Sequence, residues 1–196
     1  EVPPWGLLPH RPRRAQPYLY SDDEVQRLLQ AALRLPPVHG LRGLTYHCLL
    51  GLLAVTGVRL GEALHLHAAD VDLAAGLLTI RGAKFGKSRL VPIHPSTQTV
   101  LAAYAARRDR MLAGRPAPAF CVSTRGTRLD TGTVHRTFYA LSRQTGLRGA
   151  TASHGPRLHD FRHRFAVRTL VQWYRAGQDA ERRLPLLSTY LGHVHV

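Results

Sequence analysis

Cysteine is scarce in this sequence, because its 196 residues contain two, Cys48 and Cys121. Two distant cysteines cannot form a disulfide framework or a zinc ribbon, and Cys48, in an apolar run, is predicted to be a core residue. No run reaches the ~18 uncharged apolar residues of a membrane span, and none has the pattern of a signal peptide. These absences predict a protein of the reducing cytoplasm without a membrane partner.

Acidic residues and lysine are also few. Twelve Asp and Glu residues stand against 27 Lys and Arg residues, which leaves a net charge of +15 and an isoelectric point near 11.2. Every basic residue except Lys84 and Lys87 is an arginine. This excess indicates a polyanionic partner such as nucleic acid, because binding to phosphates releases counterions, although ribosomal and membrane-surface proteins share it.

The order of apolar and turn-forming residues predicts a mainly α-helical fold with one small antiparallel β-sheet, in the α+β class. Residues 1–20 are rich in proline and arginine and are predicted to form a basic arm or linker before a single domain at 21–196. Ser21 and Glu24 predict a capping box at the first helix. Strands are predicted at 77–81 and 89–93, joined as a hairpin, and briefly at 120–122. Helices are predicted at 22–34, 41–56, from 59, 95–112, 131–145, 158–176 and 184–192.

Two short motifs place an arginine beside a group that can orient it. Arg59 follows a predicted helix end at Thr56-Gly57 and lies three residues before Glu62, so both side chains share one face of a helix. His159 and Arg162 have the same spacing and are predicted to project together from a helix packed by its phenylalanines. The alternatives are a surface ion pair for the first motif and an incidental basic face for the second.

Four motifs follow one another along the chain. They are Thr56-Gly57-x-Arg59-x-x-Glu62, Lys84-x-x-Lys87-x-Arg89-Leu90-Val91-Pro92, His159-x-x-Arg162-His163 and Leu191-Gly192-His193. In this order and spacing the sequence resembles the tyrosine recombinases, the phage integrase family. The resemblance covers residues 21–196 and implies the catalytic domain of that family, with residues 1–20 as the linker to a preceding DNA-clamping domain.

The resemblance implies DNA cleavage and rejoining through a 3′-phosphotyrosyl intermediate, without a metal or another cofactor. Arg59 and Arg162 would bind the non-bridging oxygens of the scissile phosphate, and Glu62 would orient Arg59. Lys84 would protonate the departing 5′-oxygen, because an ammonium group donates a proton near neutral pH and a guanidinium does not. Lys87 is the alternative candidate for this role, and the register of the family motif favours Lys84. His159 would exchange a proton with the tyrosine nucleophile.

The remaining basic residues are predicted to bind the phosphate or the DNA backbone. His193 would donate a further hydrogen bond to the scissile phosphate, and Lys87 and Arg89 are predicted to contact double-stranded DNA. Arg164 is predicted to face solvent or contact a phosphate. A solvated basic face is an equal alternative to backbone contacts for Arg81, Arg89, Arg136 and Arg143.

The nucleophile has no candidate in this chain. The family places its tyrosine about two to three helical turns after the residue that matches His193, and three residues follow His193 here. Tyr190 precedes the motif and is predicted to pack its helix. We therefore expect this chain to lack strand-cleaving activity and to be a monomer, and the full-length protein to act as a homotetramer on DNA.

Two other functions are weighed against the recombinase, and the first is a metal-dependent hydrolase. His159 and His163 have the i, i+4 spacing of zinc-binding helices, but Asp160 stands at the second position, where a zinc protease carries its glutamate, and Arg162 would repel the metal. A DNA-binding protein without catalytic activity, either a relic or a regulator of the same fold, is the stronger alternative. It predicts DNA binding without a covalent adduct.

Overall fold

A computed structural model describes residues 16–82 and 88–192 of the chain. In these residues seven α-helices and a three-stranded antiparallel sheet confirm the predicted fold class. The helices are α1 (Asp22–Leu33), α2 (Leu41–Thr56), α3 (Leu60–His65), α4 (Pro95–Leu112), α5 (Thr131–Gln144), α6 (Asp160–Arg175) and α7 (Ala180–Leu191). The strands are β1 (Val71–Asp72), β2 (Leu77–Ile80) and β3 (Arg89–Pro92), and a 3-10 turn (Ala68–Asp70) precedes β1.

The centre of the fold is α2, which packs against α1, α4 and α6. Leu49, Leu50, Leu52 and Leu53 are all buried although they point in different directions around the helix, because neighbours cover α2 on most sides. Cys48 is also buried, which confirms its predicted place in the core. The C-terminal end of α2 is therefore held by its neighbours, and it positions the residues that follow.

α1 starts at the predicted capping box. The backbone N–H of Glu24 donates to the hydroxyl of Ser21 at 3.1 Å, and the Glu24 carboxylate accepts from the Ser21 N–H at 2.7 Å. These two bonds satisfy donors that the first helical turn leaves unpaired. The first helix of the domain is thus fixed by residues adjacent in sequence.

The predicted hairpin of β2 and β3 is confirmed, with Leu77 paired to Pro92 and Ile80 paired to Arg89. Its tip, residues 83–87, lies outside the described residues. The sheet also has a third strand, β1, which spans two residues and is too short to show an alternating pattern in sequence. The strand predicted at 120–122 is wrong, since Val122 forms a single bridge to Arg128.

α6 and α7 complete the domain and lie next to each other. Phe161 on α6 is fully buried and stacks on Tyr20, with ring centroids 4.5 Å apart. α7 begins at Ala180 rather than at the predicted residue 184, because the side chain of Asp179 caps it by accepting from the N–H of Arg182. Pro185 lies inside this helix instead of at its start.

Among the residues that the structure describes, no helix combines the length and the apolar composition required to cross a membrane.

Candidate active site

The first part of the site is the break between α2 and α3. α2 ends at Thr56, and Gly57 turns the chain with a φ of 62°, a left-handed conformation that favours glycine. A Cβ atom at Gly57 would lie 2.7 Å from Cδ1 of Phe165, so glycine also allows α6 to approach the turn. The turn therefore sets both the start of α3 and its distance from α6.

Arg59 precedes α3 and is held there by Glu62. The backbone N–H of Arg59 donates to Oε2 of Glu62 at 2.8 Å, and Nη1 of the same arginine donates to Oε1 at 2.8 Å. The ion pair predicted from the spacing of these residues is confirmed. Because 29% of the Arg59 side chain is exposed, its guanidinium is accessible to a ligand.

Glu62 is shared with a second arginine, Arg89, at the start of β3. Nη1 and Nη2 of Arg89 each donate to one carboxylate oxygen of Glu62 at 2.9 Å. Burial by itself would raise the pKa of Glu62, but the hydrogen bonds from Arg89 and from the Arg59 amide lower this pKa to about 2. Glu62 is therefore a permanent carboxylate between two guanidinium groups.

Arg162 reaches the same region from the first turn of α6 and is buried. Its Nη1 donates to the carbonyl of Gly57 at 2.9 Å, and its Nη2 donates to the carbonyl of Leu191 at 2.6 Å. Burial, and then repulsion from Arg59, lower the pKa of Arg162 to about 10, so the group stays charged at neutral pH. Arg162 thus ties the end of α2 to the end of α7.

Three arginines meet at the C-terminal end of α7, where each donates to a different backbone carbonyl. Nε of Arg89 donates to the carbonyl of Tyr190 at 2.8 Å, and Nη2 of Arg59 donates to that of Gly192 at 3.1 Å. Arg162 contacts the carbonyl between them, on Leu191. Helix carbonyls at this end carry partial negative charge and have no partner within the helix, so guanidinium groups stabilise them. The three arginines, from three different elements, are consequently brought close together.

His159 lies directly before α6 and is exposed, whereas Arg162 is buried. Arg162 donates to two internal carbonyl groups, and the prediction that it and His159 project together from α6 stays a prediction. The imidazole ring of His159 lies 4.9 Å from that of His163. Partial desolvation, then the charges of His163 and Arg162, lower the pKa of His159 below its ordinary value.

An open groove with a volume of about 570 Å³ adjoins Arg59. Its other walls come from α3, the turn after it and the end of β2, and they carry two histidines and a second arginine. The lining residues are Arg59, Gly61, Glu62, His65, His67, Arg81 and Gly82. Because the Glu62 carboxylate is already paired with two arginines, the groove presents the guanidinium groups of Arg59 and Arg81 and two imidazole rings to a ligand.

The other arginines singled out in the sequence differ in their surroundings. Arg164 is buried, contrary to its prediction, because its Nε donates to the carbonyl of Tyr20 at 3.0 Å and its Nη2 pairs with Asp22. Arg81 and Arg136 are exposed and each pairs with an aspartate. The Nε of Arg143, which is also exposed, donates to the carbonyl of Ala150 at 3.1 Å.

Several residues of the candidate site are not described by the structure. Lys84, Lys87 and His193 lie outside the described residues, so their predicted roles stay predictions. Tyr190 is described and packs as predicted, with its ring stacked on Phe165 at 5.4 Å. Within 16–82 and 88–192, no group of three or more His, Cys, Asp and Glu side chains is placed to hold a metal ion.

Sequence reasoning missed the internal role of Arg89. The predicted contact of Arg89 with DNA conflicts with its position, because only 11% of its side chain is exposed and its guanidinium is bound by Glu62 and Tyr190. The alternation of β3 contained a signal for this position. Val91 is buried and Leu90 is exposed, so Arg89 lies on the buried face of the strand.

Comparison with known proteins identifies the family of this chain. The phage integrase family model matches residues 19–195, and the chain therefore belongs to that family. The chain is 63% identical over 200 residues to y4rB of Sinorhizobium fredii (strain NBRC 101917 / NGR234), a predicted integrase/recombinase, with 100% of this chain and 64% of the relative covered. It is also 33% identical over 193 residues to the tyrosine recombinase XerD of Mycobacterium tuberculosis (strain ATCC 25618 / H37Rv), covering 97% of this chain and 58% of XerD. The chain thus spans somewhat more than half of the length of these relatives.

Solved structures share the fold. The crystal structure of XerA recombinase superposes with a TM-score of 0.67 at 28% identity, over 92% of this chain and 57% of XerA. The lambda integrase catalytic core has a TM-score of 0.61 at 23% identity, over 92% of this chain and 94% of that core. A lambda integrase tetramer bound to a Holliday junction has a TM-score of 0.61 at 22% identity, over 92% and 48% of the two chains. The described elements therefore form the fold of a tyrosine recombinase catalytic domain.

Proposed function

We propose that residues 21–196 are the catalytic domain of a site-specific DNA recombinase or integrase and that residues 1–20 link it to a preceding domain. The observation that carries this proposal is the convergence of Arg59 and Arg162 at one point of the fold. Glu62 orients the first guanidinium, and backbone carbonyls of Gly57 and Leu191 orient the second. Such fixed donors stabilise charge that develops on a phosphate without reorganising during the reaction.

The chemistry begins when a tyrosine oxygen attacks the phosphorus atom of a DNA phosphodiester. The bond from phosphorus to the 5′-oxygen breaks, and a 3′-phosphotyrosyl link replaces it. Arg59, Arg162 and His193 would hold the non-bridging oxygens, and Lys84 would give its proton to the 5′-oxygen. His159 would exchange a proton with the tyrosine hydroxyl, and its lowered pKa supports this role because it favours a neutral imidazole at pH 7.

The reverse reaction rejoins the strand, because a 5′-hydroxyl attacks the phosphotyrosyl group and releases the tyrosine. The bond energy is conserved in the intermediate, so the chemistry drawn here uses no nucleotide or other cofactor. No tyrosine follows His193 in the 196 residues. We place the nucleophile in the longer gene product, and we expect the 196-residue chain by itself not to cleave DNA.

Double-stranded DNA is the proposed partner, and its backbone would lie in the groove beside Arg59. The net charge of +15 and the exposed guanidinium of Arg81 in the wall of the groove support this placement. Lys87 would add a further phosphate contact. A protein acting on bacterial or phage DNA would work in the cytoplasm.

The full-length protein would assemble on DNA as a homotetramer, by analogy with the lambda integrase tetramer on its Holliday junction. The 196-residue chain would be a monomer in solution. It would bind duplex DNA weakly and with little sequence preference, because phosphate contacts dominate its binding face.

A nicked DNA substrate tests the proposal. Cleavage near the nick releases a short fragment, so a covalent protein–DNA adduct accumulates and is visible as a denaturation-resistant band. The full-length gene product should form this adduct, and Arg59→Ala and Arg162→Ala should abolish it. Arg107→Ala is the matched control, since Arg107 is an exposed arginine on α4, away from the groove.

The result that contradicts the proposal is salt-sensitive DNA binding by the full-length protein without an adduct on any nicked site. That result would favour the alternative of a non-catalytic DNA-binding relic or regulator. Stoichiometric zinc in protein purified without added metal would instead revive the hydrolase hypothesis.

A further inference from the structure

Arg89 is the basic residue of the hairpin that the proposed chemistry leaves without a direct part. Its side chain is 11% exposed, and every nitrogen of its guanidinium donates to an internal acceptor. Two of these bonds go to both oxygens of Glu62, which is the geometry in which arginine binds a carboxylate most strongly. These bonds use three of its five N–H groups, including the Nη1–Nη2 edge that would otherwise bind two phosphate oxygens.

The partners of Arg89 are the groups that place the phosphate-binding arginines. Glu62 holds the backbone and the guanidinium of Arg59, so the carboxylate that Arg89 fixes is the one that aims Arg59. The carbonyl of Tyr190 precedes those of Leu191 and Gly192, which accept from Arg162 and Arg59.

The packing around Arg89 is also close. A Cβ atom on Gly192 would lie 2.8 Å from Nη1 of Arg89 and 3.0 Å from its Cζ. The chain at the end of α7 therefore lies directly on the guanidinium of Arg89. Arg89 connects β3, α3 and α7 at the point where Arg59 is anchored.

We infer that Arg89 is a positioning residue, which fixes Arg59 through Glu62 and fixes the end of α7 through the carbonyl of Tyr190, without contacting DNA. This inference rests on the proposed role of Arg59 at the scissile phosphate. Without Arg89, Glu62 keeps its bonds to Arg59 but loses both bonds from the opposite side. The carboxylate then rotates, and Arg59 loses its defined direction.

The expected effect is on the rate of adduct formation and not on DNA affinity. In the full-length protein, Arg89→Gln should lower the rate at saturating DNA by about 100-fold, the effect of a misplacement near 1 Å. The dissociation constant for the nicked DNA should change by less than about twofold, because no phosphate contact is lost. Arg89→Lys should not restore the rate, since one ammonium group cannot bind both carboxylate oxygens and a carbonyl.

A double variant tests whether Arg89 acts through Glu62. Glu62→Gln should lower the rate by itself, and adding Arg89→Gln should lower it little further, because the two changes interrupt the same connection. A loss of stability alone would not produce this pattern at a temperature where all variants are folded. Thermal unfolding curves establish that temperature, and Arg89→Lys serves for the comparison if Arg89→Gln does not fold.

Arg107→Gln is the matched control. Arg107 is an exposed arginine on α4 and lies outside the lining of the groove. Arg107→Gln should leave both the rate at saturating DNA and the dissociation constant for the nicked DNA unchanged.

Two results would overturn the inference. One is a weaker DNA affinity and a reduced salt slope for Arg89→Gln, which would make Arg89 a phosphate contact. The other is that the effects of Arg89→Gln and Glu62→Gln on the rate add fully in the double variant. That result would mean that Arg89 does not act on Arg59 through Glu62. Failure of the proposed function is a separate observation, because it would appear as the absence of an adduct with the unaltered protein.

Discussion

Phe165 packs so closely on Gly57 that a Cβ atom at residue 57 would lie 2.7 Å from the phenylalanine ring. Gly57 also has a left-handed backbone with a φ of 62°. The turn before Arg59 and the helix that carries Arg162 are therefore in direct contact through a glycine.

Gly57→Ala should destabilise the fold by about 2 kcal/mol or more, because it adds left-handed strain and a clash with Phe165. Gly61→Ala is the control, since Gly61 lies in α3 with no atom within 4 Å of the added methyl group. It should stabilise the chain by about 0.5–1 kcal/mol through helix propensity. Urea unfolding measures both, and an equal effect of the two substitutions would contradict the packing described.

Arg162→Ala should destabilise the chain more than Arg59→Ala does. The first substitution leaves the buried carbonyls of Gly57 and Leu191 without their donor, which costs about 1–3 kcal/mol for each carbonyl. The second removes a side chain that is 29% exposed and whose partner Glu62 retains Arg89, so about 1 kcal/mol is expected. Equal losses in urea unfolding at pH 7 would be inconsistent with the burial of Arg162.

Glu62 should contribute stability that depends on pH. Because its folded-state pKa of about 2 lies below the ordinary 4.5, the ionised carboxylate stabilises the folded chain above about pH 4.5. That contribution, about 3 kcal/mol from the size of the shift, is lost as the pH falls from 4.5 towards 2. The difference in unfolding free energy between the unaltered chain and Glu62→Gln should therefore be constant from pH 7 to 5 and shrink below that. A difference that grows on acidification would contradict the pairing.

The pKa of His159 should lie below the ordinary value of a histidine side chain. Desolvation comes first among the causes, and the charge of His163 comes second, so His163→Gln should raise the pKa of His159. The imidazole resonances of His159 in NMR spectra, followed from pH 5 to 8, give its pKa in the unaltered 196-residue chain and in His163→Gln. His65→Gln is the control, because His65 lies on α3 with its Nδ1 at the carbonyl of Gly61, 2.8 Å away. It should leave the titration of His159 unchanged.

Local signals in the sequence were sufficient for much of the fold. The capping box of Ser21 and Glu24, the glycine at the end of α2 and the alternation of β2 and β3 each act through neighbouring residues. The pairing of Arg59 with Glu62 is of the same kind, since one turn of helix brings them together.

The features that sequence missed depend on distant contacts. The inward turn of Arg162 requires the carbonyl of Leu191, and the burial of Arg164 requires the carbonyl of Tyr20, 144 residues away. The start of α7 was misplaced because Pro185 resembles a helix start, while the cap at Asp179 lies further upstream. No local pattern specifies which acceptor a buried arginine will find.

The end of α7 also determines how the charge of the arginine cluster is balanced. Guanidinium groups that lie close together repel one another unless negative charge lies beside them. Here the carbonyls of Tyr190, Leu191 and Gly192 supply the negative potential as part of the chain itself. Because these carbonyls belong to the chain, removing anions from the buffer should leave the three arginines in place.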